Sequence, residues 1–308
     1  MIILNLVGGL GNQLFQIAAA LSLLEPNEKL VVEYGHERTR LLTSGKPEID
    51  EYDLSEQISF SNRKIWPNRL ISRCIGFTLR RQSATDKSKT DALVYKVIAL
   101  VTQLLLGINY KMRIHLVAPS DLGYSQINKK RNIFLSGYFQ SYHWADSIPN
   151  VIDQLKCESS EYIHFRALAE IENPIVVHVR RGDYKNEDTF GLLSTEYYRN
   201  GIAYIHSTTN FQNIWLFSDE PELARKLFSF ESNLTIRVFD DSRITSAELL
   251  EIMSLGKAYV IANSTFSWWA AYKSKSRHVV APIQWFKSAI GPSRLFPNHW
   301  HLISSHFE

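Results

Sequence analysis

Five short apolar runs, the first four each followed by a segment of helical spacing, constrain the fold of the C-terminal half more than any other feature. Strands are predicted at Ile175–Val179, Ile214–Phe217, Thr235–Phe239, Ala258–Ala262 and His278–Ala281. Helices are predicted at Thr195–His206, Glu220–Phe228, Ser246–Leu255 and Ser267–Lys273. Strands alternating with helices through short connections give a parallel, doubly wound sheet. The N-terminal half starts in the same way. Ile2–Val7 is a buried strand, Gly8-Gly-Leu-Gly-Asn12 a glycine turn, and Gln13–Leu24 a helix closed by Pro26. The expected fold class is therefore α/β, with two Rossmann-like domains facing one another and a ligand in the cleft between them. The boundary is placed near residue 145, giving domains 1–145 and 146–308.

The glycine turn resembles a dinucleotide fingerprint but fails it, because Leu14 stands where a third glycine or alanine is needed. It is not a P-loop, since no Gly-Lys-Ser/Thr follows. What remains is a backbone able to approach a ligand closely and a helix N-terminus that favours an anion or a polar sugar. Further strands are predicted at Leu30–Tyr34 and Asn132–Phe139, and a helix over Ser147–Ile171. Tyr138, Phe139 and Gln140 could stack on and hydrogen-bond a sugar, or Tyr138 and Phe139 could be core.

Charge is unevenly placed. The net charge of +3 divides into 14 Lys/Arg against 3 Asp/Glu over residues 60–131, and 20 against 28 elsewhere. That segment suits an anionic neighbour or is a solvated basic surface. Its apolar stretch Ala92–Ile108 is too interrupted to span a bilayer. It reads as a buried or partner-facing helix, or as an interfacial one touching an anionic membrane. No known nucleic-acid motif is visible, so a nucleic-acid partner is not expected. Cys74 and Cys157 form no metal or redox motif, and the start of the chain shows no basic leader. A cytoplasmic protein is expected, in peripheral contact with the inner face of the cytoplasmic membrane if the basic segment binds it.

The polar residues that could carry chemistry sit at strand ends, where ligands bind in open α/β sheets. Ile175-Val-Val-His-Val-Arg-Arg-Gly-Asp-Tyr184 puts His178 and Arg180 on one face and Arg181 at the strand end. This suits a phosphate, although an Arg181–Asp183 surface ion pair would give the same pattern. Ser218, Asp219 and Glu220 follow the next apolar run. They could bind a guanine edge or a ribose diol, or Ser218 or Asp219 could cap the helix that Pro221 enters. Asn263-Ser-Thr-Phe-Ser-Trp-Trp269 offers hydroxyls and free amides at a helix start, a neutral phosphate cradle. Trp268 and Trp269 read as packing residues, and Asn263 as the holder of the turn or the cap.

Together, Gly8-Gly-Leu-Gly-Asn-Gln13, His178-Val-Arg-Arg-Gly-Asp183, Phe217-Ser-Asp219 and Asn263-Ser-Thr-Phe-Ser-Trp-Trp269 resemble the α-1,2-fucosyltransferase family, glycosyltransferase family 11, in its bacterial type. Gly137-Tyr-Phe-Gln-Ser141 and Ala281-Pro-x-x-Trp285 match as well, so the resemblance runs along nearly the whole chain in order. It implies a GT-B-type fold with the GDP-fucose domain C-terminal and acceptor contacts mainly N-terminal. It also implies inverting transfer of L-fucose to a galactoside hydroxyl, in surface polysaccharide or O-antigen synthesis. The acceptor would be a galactose-containing glycan, lipid-linked ones included. Alternatives are another GDP-sugar or fucosyl linkage, and a non-catalytic nucleotide- or glycan-binding module. By the same resemblance His178 would contact the nucleoside and Asp219 the guanine. Ser264, Thr265 and the Phe266 amide would hold phosphate oxygens, and Gly9, Gly11 and Asn12 would face fucose and acceptor. Two departures stand out: Glu220 replaces a second Asp, and Phe190 stands where relatives often carry His.

No cofactor is expected. The chain contains no Asp-x-Asp, the common metal-holding motif of such enzymes. A guanidinium meets phosphate in bidentate fashion and can take the place of a metal. Arg180 is assigned to the departing β-phosphate, with Arg181 in support. Asp183 is the candidate general base, unless it only orients Arg181 or the departing phosphate itself takes the proton.

Overall fold

A computed structural model describes residues 1–35, 39–62, 97, 100–101, 112–116, 123–124, 126–127, 132–147, 155–156, 158–228, 234–239 and 244–308. The chain divides into two compact units. One comprises Met1–Ile152 with Gly291–Leu295, and the other Asp153–Ile290 with Phe296–Glu308. The short return of Gly291–Leu295 to the first unit departs from the simple division at residue 145. Its cause is backbone pairing: Ser293 O accepts from Tyr124 N at 3.3 Å, and Arg294 O accepts from Ser141 Oγ at 2.7 Å and from Tyr142 N at 3.2 Å.

Among the described residues the first unit holds a five-stranded sheet of β1 (Ile2–Asn5), β2 (Leu30–Glu33), β3 (Ile58–Ser61), β4 (Met112–Leu116) and β5 (Asn132–Ser136). Its order is β3-β2-β1-β5-β4 and every pairing is parallel. The chain steps outward from β1 to β3 and then returns on the other side of β1. The switch point therefore lies between β1 and β5. Helix α1 (Leu10–Ser22) follows β1, and α2 (Tyr142–Asp146) follows β5.

The second unit contains β6 (Ile175–Val179), β7 (Asn213–Ser218), β8 (Thr235–Phe239), β9 (Ala258–Val260), β10 (His278–Pro282) and β11 (His301–Ile303), in the order β11-β10-β9-β6-β7-β8. All of its pairings are parallel as well. Here the switch point lies between β6 and β9. Between the strands run α3 (Ser160–Glu172), α4 (Thr195–Thr208), α5 (Pro221–Leu227), α6 (Ser246–Met253) and α7 (Thr265–Lys273). Every residue of β6 is buried, as a strand covered on both faces requires. Ile175, Val177 and Val179 share one core with Tyr197, Ile202 and Ile205 of α4. Burial of each such aliphatic side chain contributes about 1.5–3 kcal/mol. Both units are thus Rossmann-like, and the fold class is the α/β one, with parallel sheets, that the sequence implies.

Several elements differ from expectation. Within the helix predicted over Ser147–Ile171, a helix runs from Ser160, where Ser159 caps it by accepting from Tyr162 N at 3.1 Å, and residues 148–154 lie outside the described residues. The strand predicted to reach Phe139 ends at Ser136, since Gly137 (φ 159°) and Phe139 (φ 53°) turn the chain. Phe139 is core, edge-on to Trp144. Strands β3, β4 and β11 escape the sequence reading, although β3 and β4 alternate apolar and polar residues. Cys74, Cys157 and most of Ala92–Ile108 lie outside the described residues. Of that stretch Val97, Leu100 and Val101 are helical, with about half of each exposed. No helix among the described residues is long and apolar enough to cross a membrane.

Candidate functional site

Strand register assembles the candidate site of the second unit. His178 pairs with Phe217 and Val179 with Ser218. One step further, Arg180 comes level with Asp219, and Arg180 Nη1 lies 3.0 Å from Asp219 Oδ2. The other carboxylate oxygen, Oδ1, accepts the Arg181 N–H at 3.0 Å. Gly182 permits this approach, since a Cβ there would fall 2.7 Å from Asp219 Oδ2. The Arg180 guanidinium also stands over the Tyr184 ring, 5.6 Å from its centroid. Tyr184 in turn stacks on Phe190 at 4.6 Å and donates its hydroxyl to Asn263 O at 3.1 Å. The tips of β6, β7 and β9 are thereby tied into one platform.

His178 is 6% exposed and its Nδ1 has no hydrogen-bond partner. Burial, reinforced by the neighbouring Arg180 charge and only partly opposed by Asp219, lowers its pKa to about 3. It is a neutral imidazole at physiological pH, with one donor and one acceptor.

On the other side of β6, the turn after β9 leads into α7. Asn263 is buried, and its Nδ2 reaches Phe190 O at 3.0 Å, Trp285 O at 3.3 Å and Gly191 O at 3.4 Å. It holds the surrounding loops. Ser264 is the N-cap residue of α7, and its hydroxyl makes no capping hydrogen bond. Thr265 and Phe266 are in the first turn, whose amides have no acceptor within the helix. The Phe266 ring lies 6.4 Å from that of His178. Trp268 and Trp269 are buried packing residues, Trp268 stacking on Tyr272 at 4.9 Å.

Arg181 points elsewhere. Its guanidinium makes a bidentate pair with Glu308, at 2.9 and 3.1 Å, and its Nε lies 3.9 Å from Glu220. Hydrogen bonding to Glu308 is the main reason its pKa is raised. Glu220 also pairs with Lys185. Ser218 Oγ accepts from Glu220 N at 3.0 Å, and Glu220, not Ser218 or Asp219, is the N-cap residue of α5. Asp183 opens the 3-10 turn Asp183–Asn186. Its side chain lies outside what the structure describes. Glu308 and Tyr184 are site residues that sequence reasoning missed.

In the first unit the switch point is built from amide groups, the Glu48 carboxylate and the Arg40 side chain, whose Nε would lie 3.6 Å from a Cβ at Gly9. Gly8 has φ 85°, and a Cβ there would fall 2.7 Å from Asn12 Nδ2. Asn12 Oδ1 accepts from Gln140 Nε2 at 2.9 Å, joining the loop after β1 to the loop after β5. Two buried glutamines of α1 hold the glycine turn. Gln16 exchanges hydrogen bonds with Val7 N and O at 3.0 and 3.1 Å. Gln13 donates to Gly8 O and Arg40 O and accepts from Ile49 N, each at 3.0 Å. Gly9 is the N-cap residue of α1, and Gly11 is buried in its first turn. The expected free amide at this helix start is taken: Glu48 Oε2 accepts from Leu10 N at 2.7 Å. Glu48, 38 residues from Leu10, has no local sequence signal. The glutamines do, as two polar residues three apart in an otherwise apolar helix.

A strand-tip guanidinium, a neutral buried imidazole and a helix N-terminus with hydroxyls give the second unit, an α/β unit, an edge whose chemistry suits an anion. Comparison with known proteins narrows this. Residues 111–300 match the family model described as Glycosyl transferase family 11, which is more than half of the chain. The protein belongs to that family and is a glycosyltransferase. It is 27% identical to an O-antigen biosynthesis glycosyltransferase of Escherichia coli, WbnK, over 96% of this chain and 98% of that one. An alpha-1,2-colitosyltransferase of Escherichia coli is 23% identical, with 93% and 92% covered. A galactoside 2-alpha-L-fucosyltransferase of Caenorhabditis elegans is 27% identical over 62% and 59%. Among solved structures, Escherichia coli ADP-heptose heptosyltransferase II gives a TM-score of 0.47 at 10% identity, covering 98% of this chain and 89% of that one. The fucosyltransferase NodZ of Bradyrhizobium gives 0.45 at 13%, covering 88% and 91%.

Proposed function

We propose that the protein transfers L-fucose from GDP-β-L-fucose to a galactoside hydroxyl, forming an α-1,2 linkage with inversion at C1, in synthesis of a bacterial surface polysaccharide such as O-antigen. The observation that carries the donor half is the convergence of Arg180, neutral His178 and the α7 N-terminus at one switch point. Family membership and the fucosyl- and colitosyltransferase relatives support the sugar and the linkage.

In this reaction the acceptor oxygen attacks C1 of fucose, the bond from C1 to the β-phosphate oxygen breaks, and GDP leaves carrying the electron pair. Negative charge grows on the β-phosphate. Arg180 meets it, and Ser264, Thr265 and the Phe266 amide bind the phosphate oxygens. His178 meets the nucleoside. Aligned dipoles and a fixed guanidinium need no reorganisation as that charge develops, and each such donor is worth about 3–4 kcal/mol. The acceptor proton passes to Asp183 or to the departing phosphate. The acceptor sugar meets the edge of the first unit where Gly9, Gly11 and Asn12 lie, and no metal has a role. A second reading, the same transfer with another nucleotide-linked sugar, is favoured by the colitosyltransferase relative.

The test is incubation with GDP-fucose and a panel of galactosides in EDTA, followed by linkage analysis. An α-1,2-fucosylated product is expected. Activity lost in EDTA, or equal turnover of UDP-sugars, overturns the reading. The basic 60–131 segment, with Val97, Leu100 and Val101 exposed along one helical face, supports peripheral contact with anionic membrane and hence access to lipid-linked acceptors. Salt-sensitive binding to anionic liposomes is expected, and no binding at low salt would remove this part.

A further inference from the structure

We infer that Asp219 is a positioning residue: its carboxylate fixes the Arg180 guanidinium and the backbone of Arg181 for phosphate. It does not read the nucleotide base. The inference rests on the donor reading above and departs from the guanine contact that family resemblance implies for Asp219.

Both oxygens of the carboxylate are engaged within the protein, Oδ2 by Arg180 Nη1 and Oδ1 by Arg181 N, each at 3.0 Å. The fit is closed by sequence as well as by geometry. Gly182 leaves room for Oδ2, and the register of β6 on β7 sets Arg180 opposite Asp219. Arg180 is thus gripped from two directions, by this carboxylate and by the Tyr184 ring. A guanidinium has five N–H donors, so a contact through Nη1 does not exhaust it. An arginine held in one rotamer gives up less side-chain entropy when it meets a phosphate. The pair is about one-fifth exposed on each side, so its Coulombic attraction is partly screened and its main yield is orientation.

A carboxylate that read guanine would accept from N1–H and the 2-amino group. Inosine lacks that amino group, so GDP against IDP separates the two roles. In Asp219→Asn, GDP affinity is expected within threefold of wild type and the GDP/IDP preference within twofold, while kcat falls at least thirtyfold. The same substitution added to Arg180→Ala is expected to cost less than a further threefold, because its effect passes through Arg180. Collapse of the GDP/IDP preference, or turnover within threefold of wild type, overturns the inference. Wild type that neither binds GDP nor uses GDP-fucose overturns the donor reading instead. The inference then still stands or falls on hydrogen exchange at the Arg181 amide. Exchange is expected to accelerate in Asp219→Ala and not in Arg180→Ala, and equal protection in all three proteins refutes it.

Discussion

Both sheets are all-parallel with a switch point beside their first strand, but they differ in strand order beyond it and in the groups at the edge. After β1, the chain turns through Gly8, enters α1, and meets a carboxylate of its own: Glu48 accepts the Leu10 amide. The partner loop after β5 contributes the neutral amide of Gln140, bonded to Asn12. After β6 and β9, Arg180 stands at the tip, His178 is held neutral, and the Ser264 hydroxyl leaves the start of α7 without a side-chain cap. A helix N-terminus carries about half a positive charge. In the first unit Glu48 meets that charge at Leu10 N, and the Arg40 side chain lies beside Gly9. In the second that charge adds to a guanidinium and suits phosphate. The two edges thus differ in that the first brings its own carboxylate to the helix start and the second does not.

The largest effect should come from breaking the second edge. Arg180→Ala is expected to lower kcat at least a hundredfold, in line with loss of one preorganised donor to a developing charge. Donor KM should change less, since the interaction strengthens as the bond to the phosphate breaks. Steady-state kinetics with GDP-fucose measures both, and near-normal turnover would end its leaving-group role and with it the contrast between the edges.

How much of this was legible in the sequence depended on distance along the chain. β6 could be read because five consecutive buried residues form one apolar run ending in charge. The α7 start could be read because its hydroxyls are contiguous with β9. Asp219 was marked as a site residue, but its engagement by Arg180 needed the β6–β7 register, which apolar runs alone do not set. Glu308 on Arg181 and Glu48 on Leu10 are 127 and 38 residues from their partners, and nothing local announces either. β3, β4 and β11 were missed because Ile58-Ser-Phe-Ser, Met112-Arg-Ile-His-Leu and His301-Leu-Ile are three to five residues long, too short for the alternation in the first two to stand out, and each is paired to a parallel neighbour.

The intermediate effect tests the first edge. Glu48→Gln keeps the shape and an acceptor for Leu10 N but removes the charge. Hydrogen bonds to charged groups contribute about 1.5–3 kcal/mol, against about 1 for neutral ones. A loss of about 1–2 kcal/mol in denaturant unfolding is expected, with acceptor KM raised several-fold and donor KM unchanged. A change confined to donor KM would mean that the two edges are not divided as described.

The smallest effect is carried by His178. Its pKa in the folded protein is about 3, against about 6.5 in an unfolded chain. Between those values the unfolded chain binds a proton that the folded one refuses. The stabilising contribution is therefore complete above about pH 6.5 and is lost progressively as pH falls toward 3. His178→Gln, neutral throughout, should lower the melting temperature at pH 7.5 yet flatten its decline between pH 6.5 and 4.5. Parallel profiles for the two proteins would mean that His178 takes up its proton as readily in the fold as in the unfolded chain. The second edge would then be more cationic than its contrast with the first requires.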